Sequence, residues 1–147
     1  MNAYDVFPED LIANVADKLK DKKAYPGVEP PKEVIFWKTA AVREFPPNEP
    51  IDFWYIRAAS ILRKLYRGTI GVNRLKKQYG GRTGNAMHTE HSKPGSGAIV
   101  RRIFQQLEKA QLVKKTDKNG RELTNAGRSL LDKAASDILK KERSAAK

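Results

Sequence analysis

No cysteine occurs among the 147 residues, and histidine, methionine and tryptophan appear only twice each. The absence of cysteine excludes disulfide staples, thiolate zinc sites and a cysteine nucleophile, and it fits a reducing compartment. His88 and His91 are the only imidazoles. With Glu90 between them and no further ligand near in sequence, the pair reads as polar loop residues, so no metal or other cofactor is expected. No apolar run approaches the roughly 18 residues needed to span a bilayer. Residues 1–10 carry acids and a proline rather than a basic stretch followed by an apolar one, so a signal peptide is not expected either. A Ser/His/Asp set, a pair of neighbouring carboxylates beside a nucleophile, and a Gly-Lys-Ser/Thr phosphate loop are all missing. The chain therefore does not read as an enzyme.

What is abundant is positive charge, and it is unevenly placed. The net charge is +12. Residues 1–50 hold 7 Lys/Arg against 9 Asp/Glu, whereas residues 51–147 hold 22 against 8, so the balance moves from −2 to +14. A one-sided surplus of this size points to a polyanionic partner, with nucleic acid ahead of an anionic membrane because no helix sets a basic face against exposed Trp or Phe. The length suits one domain able to bury its own core, with an acidic N-terminal part over 1–50 and a basic part over 51–147.

Apolar spacing predicts a helix over 8–20, where Leu11, Ile12, Val15, Ala16 and Leu19 share one face and Pro8, Glu9 and Asp10 suit the start. A short helix over 32–43 follows, then a stiff connector, Pro46-Pro-Asn-Glu-Pro50. The segment 51–67 predicts the central helix. Ile51, Trp54, Tyr55, Ala58, Ala59, Ile61, Leu62, Leu65 and Tyr66 fall on one broad arc, and Arg57, Ser60, Arg63, Lys64 and Arg67 fall opposite. Phe53 and Ile56 make its first turns apolar almost all round, which predicts enclosure by neighbours. A helix over 72–79 carries Arg74, Lys76 and Lys77. Residues 80–97, with five glycines and one proline, predict a long functional loop that is flexible until a ligand orders it. Ser96 is placed to cap a helix over 97–111. The runs around Val113 and Leu123 flank Asp117-Lys-Asn-Gly120, a strong hairpin signal. A last helix is expected over 125–140, with a frayed basic end.

Short helix, loop, helix, hairpin, helix is the order of a winged helix–turn–helix, so the fold class reads as mainly α with one small β-hairpin. The loop before the second of those helices is far longer than an ordinary turn, and a Gly-rich basic loop suits folded RNA better than a regular major groove. The alternatives are a winged-helix DNA-binding regulator and a protein-docking module acting through its acidic half.

Several separated blocks carry a family resemblance: PIDFWYIRAAS over 50–60, LYRGTIGV over 65–72, Tyr79-Gly-Gly-Arg82, and Arg101-Arg102 followed by Gln106-Leu-Glu108. In that order they resemble the archaeal and eukaryotic small-subunit ribosomal protein family "S nineteen e", in its archaeal form. The resemblance covers nearly the whole chain and is densest over 50–125. It implies helices packed around a central amphipathic helix, and a structural place in the head of the small subunit bound to ribosomal RNA. It implies a part in late subunit assembly and RNA maturation, neighbouring ribosomal proteins as partners, a monomer when free, and a cytoplasmic, ribosomal location. Among the basic positions it matches Arg57, Arg63, Arg101, Arg102 and the loop Gly80-Gly81-Arg82. With Lys64 and Arg67 on the central helix, Lys76 and Lys77 on the next and Lys115 on the hairpin, these are the expected RNA-binding residues. The glycines are candidates for close backbone approach to phosphates.

Overall fold

The computed structural model describes residues 2–84, 87–116 and 120–145. Helix α1 (Pro8–Lys20) has proline in its first turn, acids Glu9 and Asp10 at the positive end of its dipole and Lys18 and Lys20 at the other. Leu11, Val15, Ala16 and Leu19 bury its inner face against α2 (Pro50–Leu65) and α5 (Asn125–Ala145). Between them α3 (Val72–Gln78) packs on α4 (Gly97–Lys109).

Helix α2 is the centre of the molecule. Trp54, Ala58, Ala59, Ile61 and Leu62 are completely enclosed, and one contiguous core takes in Ala3 at one end of the chain and Ile138 at the other. Each large apolar side chain enclosed in this way contributes about 1.5–3 kcal/mol. Trp54 keeps its polar edge satisfied by donating from Nε1 to Gln106 Oε1 at 2.8 Å, and Gln106 Nε2 donates to the Glu29 carbonyl at 2.5 Å. One α4 side chain thus ties the central helix to the N-terminal connector.

Four sequence expectations need correction. The first turns of α2 are not enclosed all round: Ile51 is 55% and Ile56 47% exposed. The helix expected over 32–43 is a single 3₁₀ turn, Lys32–Phe36. Beyond it the backbone pairs elsewhere: Ala40 bridges Gly95, and the Ser96 N–H donates to the Thr39 carbonyl at 2.8 Å. The described part of 80–97 holds a second hairpin, β1 (Gly81–Thr83) against β2 (His91–Lys93), with Arg82 opposite Ser92, in place of the irregular loop expected. Ser96 stands at the N-cap of α4 without capping it through its side chain.

The expected hairpin is present as antiparallel β3 (Val113–Thr116) and β4 (Gly120–Leu123), with Val113 opposite Leu123. Residues 117–119 of its turn lie outside the described residues. Ile70 exchanges both backbone hydrogen bonds with Arg121 at 3.1 Å, which clips this wing to the end of α2. Gln111 takes a left-handed φ of 56° and ends α4, two residues before the wing begins. The last helix, α5, runs on to Ala145, past the end expected at 140. The result is a mainly helical, winged-helix-like fold. No described helix is long and apolar enough to cross a membrane.

Candidate nucleic-acid interface

The cations of the expected stripe on α2 divide into two groups. Arg57 faces a neighbour: its guanidinium carbon lies 3.8 Å from the centre of the Tyr79 ring and 4.9 Å from that of Phe53. Burial pulls its pKa below the usual arginine value, with Tyr79 opposing the shift. The Tyr79 hydroxyl is itself held by Ser60 Oγ at 2.8 Å. Arg57 is thus stacked into the fold between α2 and the end of α3.

Arg63, Lys64 and Arg67 face outward around a groove of about 610 Å³, closed on its far sides by Arg74 and Gln78 of α3 and by Tyr4. Four cations line this groove and no carboxylate does. The end of α2 suits them, since its unpaired carbonyls carry partial negative charge. Holding a charge here has a cost at Lys64, whose pKa is lowered first by burial and then by the positive charges of Arg57 and Arg63. The Tyr79 ring, 3.8 Å from the Lys64 ammonium, compensates part of that cost.

Tyr4 organises the groove's rim. Its hydroxyl donates to the Arg63 carbonyl at 3.0 Å, and the Arg63 and Arg67 guanidinium carbons stand 4.6 Å and 6.0 Å from its ring centre. Arg63 Nε is shielded from solvent and has no hydrogen-bond partner among the described residues. Tyr4 and Arg74 were not among the expected site residues. Arg74 is visible in the α3 pattern as a third cation beside Lys76 and Lys77. Tyr4 carries no sequence signal, since it lies 59 residues from its partner.

The remaining candidates are spread over three elements. On α3, Lys77 is exposed and Lys76 half-buried, its stem against Gly97. On α4, Arg101 is exposed, whereas Arg102 stacks 4.5 Å from the Trp37 ring centre and pairs with Glu33 at 3.8 Å. Lys115 projects from β3, beside Lys114, which pairs with Glu122 at 3.4 Å. In the second hairpin Arg82 pairs with Glu90 at 3.5 Å. Among the described residues no ion pair within 4 Å engages Arg63, Lys64, Arg67, Lys76, Lys77, Arg101 or Lys115.

The glycines have a packing role. A Cβ at Gly80 would collide with the Lys93 carbonyl oxygen, one at Gly81 would stand 2.7 Å from Val42 Cγ2, and one at Gly95 would stand 2.7 Å from the Tyr79 carbonyl oxygen. Gly80 and Gly95 therefore let the two strands of the hairpin's neck approach closely. His91 is exposed on β2, and no cluster of three or more potential metal ligands gathers among the described residues.

Comparison with known proteins gives these features a context. The model of the family described as Ribosomal protein S19e matches residues 2–141. The chain is 46% identical over 141 residues to the small ribosomal subunit protein eS19 of Aeropyrum pernix, covering 95% of this chain and 90% of that protein. It is 43% identical over 141 residues to the protein of the same name from Haloarcula marismortui, covering 92% and 90%. Against that of Oryza sativa subsp. japonica it is 41% identical over 135 residues, covering 91% and 90%.

Proposed function

We propose that this chain, which belongs to the ribosomal protein S19e family, grips small-subunit ribosomal RNA with the cationic groove beside α2. Family membership makes it a structural protein of the small ribosomal subunit, not an enzyme. The observation that carries the RNA reading is the groove itself. Arg63, Lys64, Arg67 and Arg74 converge there without a carboxylate, and the Lys64 pKa is lowered first by burial and then by the positive charges of Arg57 and Arg63. Charges held together at such a cost are relieved by phosphates, whose oxygens accept charge-assisted bonds from guanidinium and ammonium groups.

Exposed Lys77, Arg101 and Lys115, with half-buried Lys76, extend the contact. Arg82 and Arg102 join it by exchanging their solvent-exposed pairs with Glu90 and Glu33 for phosphate, since such surface pairs hold by little. Arg57, Gly80 and Gly81 support the fold rather than touch RNA. By fixing one RNA surface against the particle, the protein also supports late assembly of the subunit and maturation of its RNA.

In a sucrose gradient the protein should co-sediment with small subunits and be stripped by high salt. Its depletion should leave precursor small-subunit RNA to accumulate. Arg63→Glu or Arg101→Glu should leave the fold intact and block incorporation. Sedimentation at low mass, or normal incorporation of both variants, would overturn the reading.

A further inference from the structure

The groove offers more than charge. Tyr4 and Ile70 line it with carbon, Gln78 and Thr69 line it with neutral hydrogen-bonding groups, and the cations stand around them. A run of phosphates along a duplex needs only the cations. It has nothing to place in a hollow of about 610 Å³, a size in the range that encloses small ligands. A nucleotide has a matching part for each surface: an anionic phosphate, an apolar base face and a polar base edge. Bases in loops and bulges of folded RNA can be splayed out to meet such surfaces, whereas stacked ones cannot.

We propose that the groove takes one extruded nucleotide of the bound RNA, with its phosphates on Arg63, Arg67 and Arg74 and its base among Tyr4, Ile70 and Gln78. This rests on the RNA-binding reading above and specifies which part of the RNA the groove holds.

The walls are set before any ligand arrives. Tyr4 is fixed by its hydrogen bond to the Arg63 carbonyl and by the Tyr66 ring, 5.8 Å away and tilted by 60°. The Tyr66 hydroxyl is bound at 2.6 Å to Asn2 Oδ1, and Ala3 and Val6 on either side of Tyr4 are buried in the core. The N-terminal segment is thus a strap that carries one wall of the groove. Ile70 is held by its paired backbone bonds to Arg121. A preformed site of this kind loses little conformational freedom on binding.

The test compares two RNA probes bound by the full chain: a short perfect duplex, and the same duplex with one unpaired 2-aminopurine. The bulged probe should bind roughly tenfold tighter, the order expected for stacking one base, and its fluorescence should be quenched on binding. Tyr4→Ala and, independently, Gln78→Ala should erase that preference, and Tyr4→Phe should restore it. Gln78 is exposed at the end of α3, so its substitution keeps the test clean should Tyr4→Ala fail to fold. Equal affinity of the wild-type protein for both probes, or a preference that survives both alanine variants, would overturn the nucleotide pocket and leave the RNA reading standing. Failure of both probes to bind in a salt-dependent way would overturn both.

Discussion

The guanidinium of Arg57 lies 3.8 Å from the centre of the Tyr79 ring, while Arg63, six residues along the same helix, faces the open groove. Two arginines of one helical stripe therefore do different work. Arg57→Ala removes a desolvated cation–π contact and leaves a gap beside Phe53, so it should destabilise the fold by about 1–2 kcal/mol. Arg63→Ala should change stability far less and RNA affinity far more. Thermal melts and RNA titrations of the two variants separate the roles. Equal melting temperatures together with an equal loss of RNA binding would show that both arginines contact RNA.

The neck of the β1–β2 hairpin gives a second prediction. Gly95 donates its N–H to the Lys76 carbonyl at 2.8 Å, and a Cβ added to it would stand 2.7 Å from the Tyr79 carbonyl oxygen. Gly95→Ala should force the strands apart and destabilise by about 1–3 kcal/mol, the usual cost of overpacking. Hydrogen exchange should quicken in β1 and β2 and at the Ser96 amide, and stay slow in α2. Unchanged exchange in the hairpin would mean that its two strands are not held by this close approach.

Acid should loosen one specific joint. Asp137 on α5 meets Lys18 on α1 at 2.6 Å, and that hydrogen bond and charge hold its carboxyl below the usual carboxylate range. A lowered folded-state value adds stability at neutral pH that is lost as pH falls through it. Asp137→Asn should therefore melt slightly lower than wild type at neutral pH, and the gap should close in strong acid. The effect is small because the pair is partly exposed. A gap that is constant across pH would assign it to packing instead.

What could be read from the sequence follows how local each cause is. The bounds of α1 were readable because a proline start, an acidic first turn and a four-residue apolar spacing all lie within the segment. The faces of α2 and α4 were readable for the same reason, as was the β3–β4 wing. The 3₁₀ turn was not, because the residues after it give their backbone to Gly95 and Ser96, more than fifty positions on. The β1–β2 hairpin lacks an apolar alternation, since all of β2 is exposed. In the site, helical periodicity placed Arg57, Arg63 and Lys64 on one side but could not tell that Tyr79 covers the first. Nor could any spacing rule bring Tyr4 to Arg63.

The central claim is that the Arg63–Lys64–Arg67–Arg74 groove neutralises RNA phosphates. Its most direct test is the salt dependence of affinity for small-subunit RNA, measured for the wild type and for a variant with Arg63, Arg67 and Arg74 all changed to Ala. Each lost phosphate contact lowers the steepness of log affinity against log salt by about 0.7–0.9, so the variant should bind more weakly with a slope shallower by about two to three. An unchanged slope with unchanged affinity would contradict the account and place the RNA on another face of the protein.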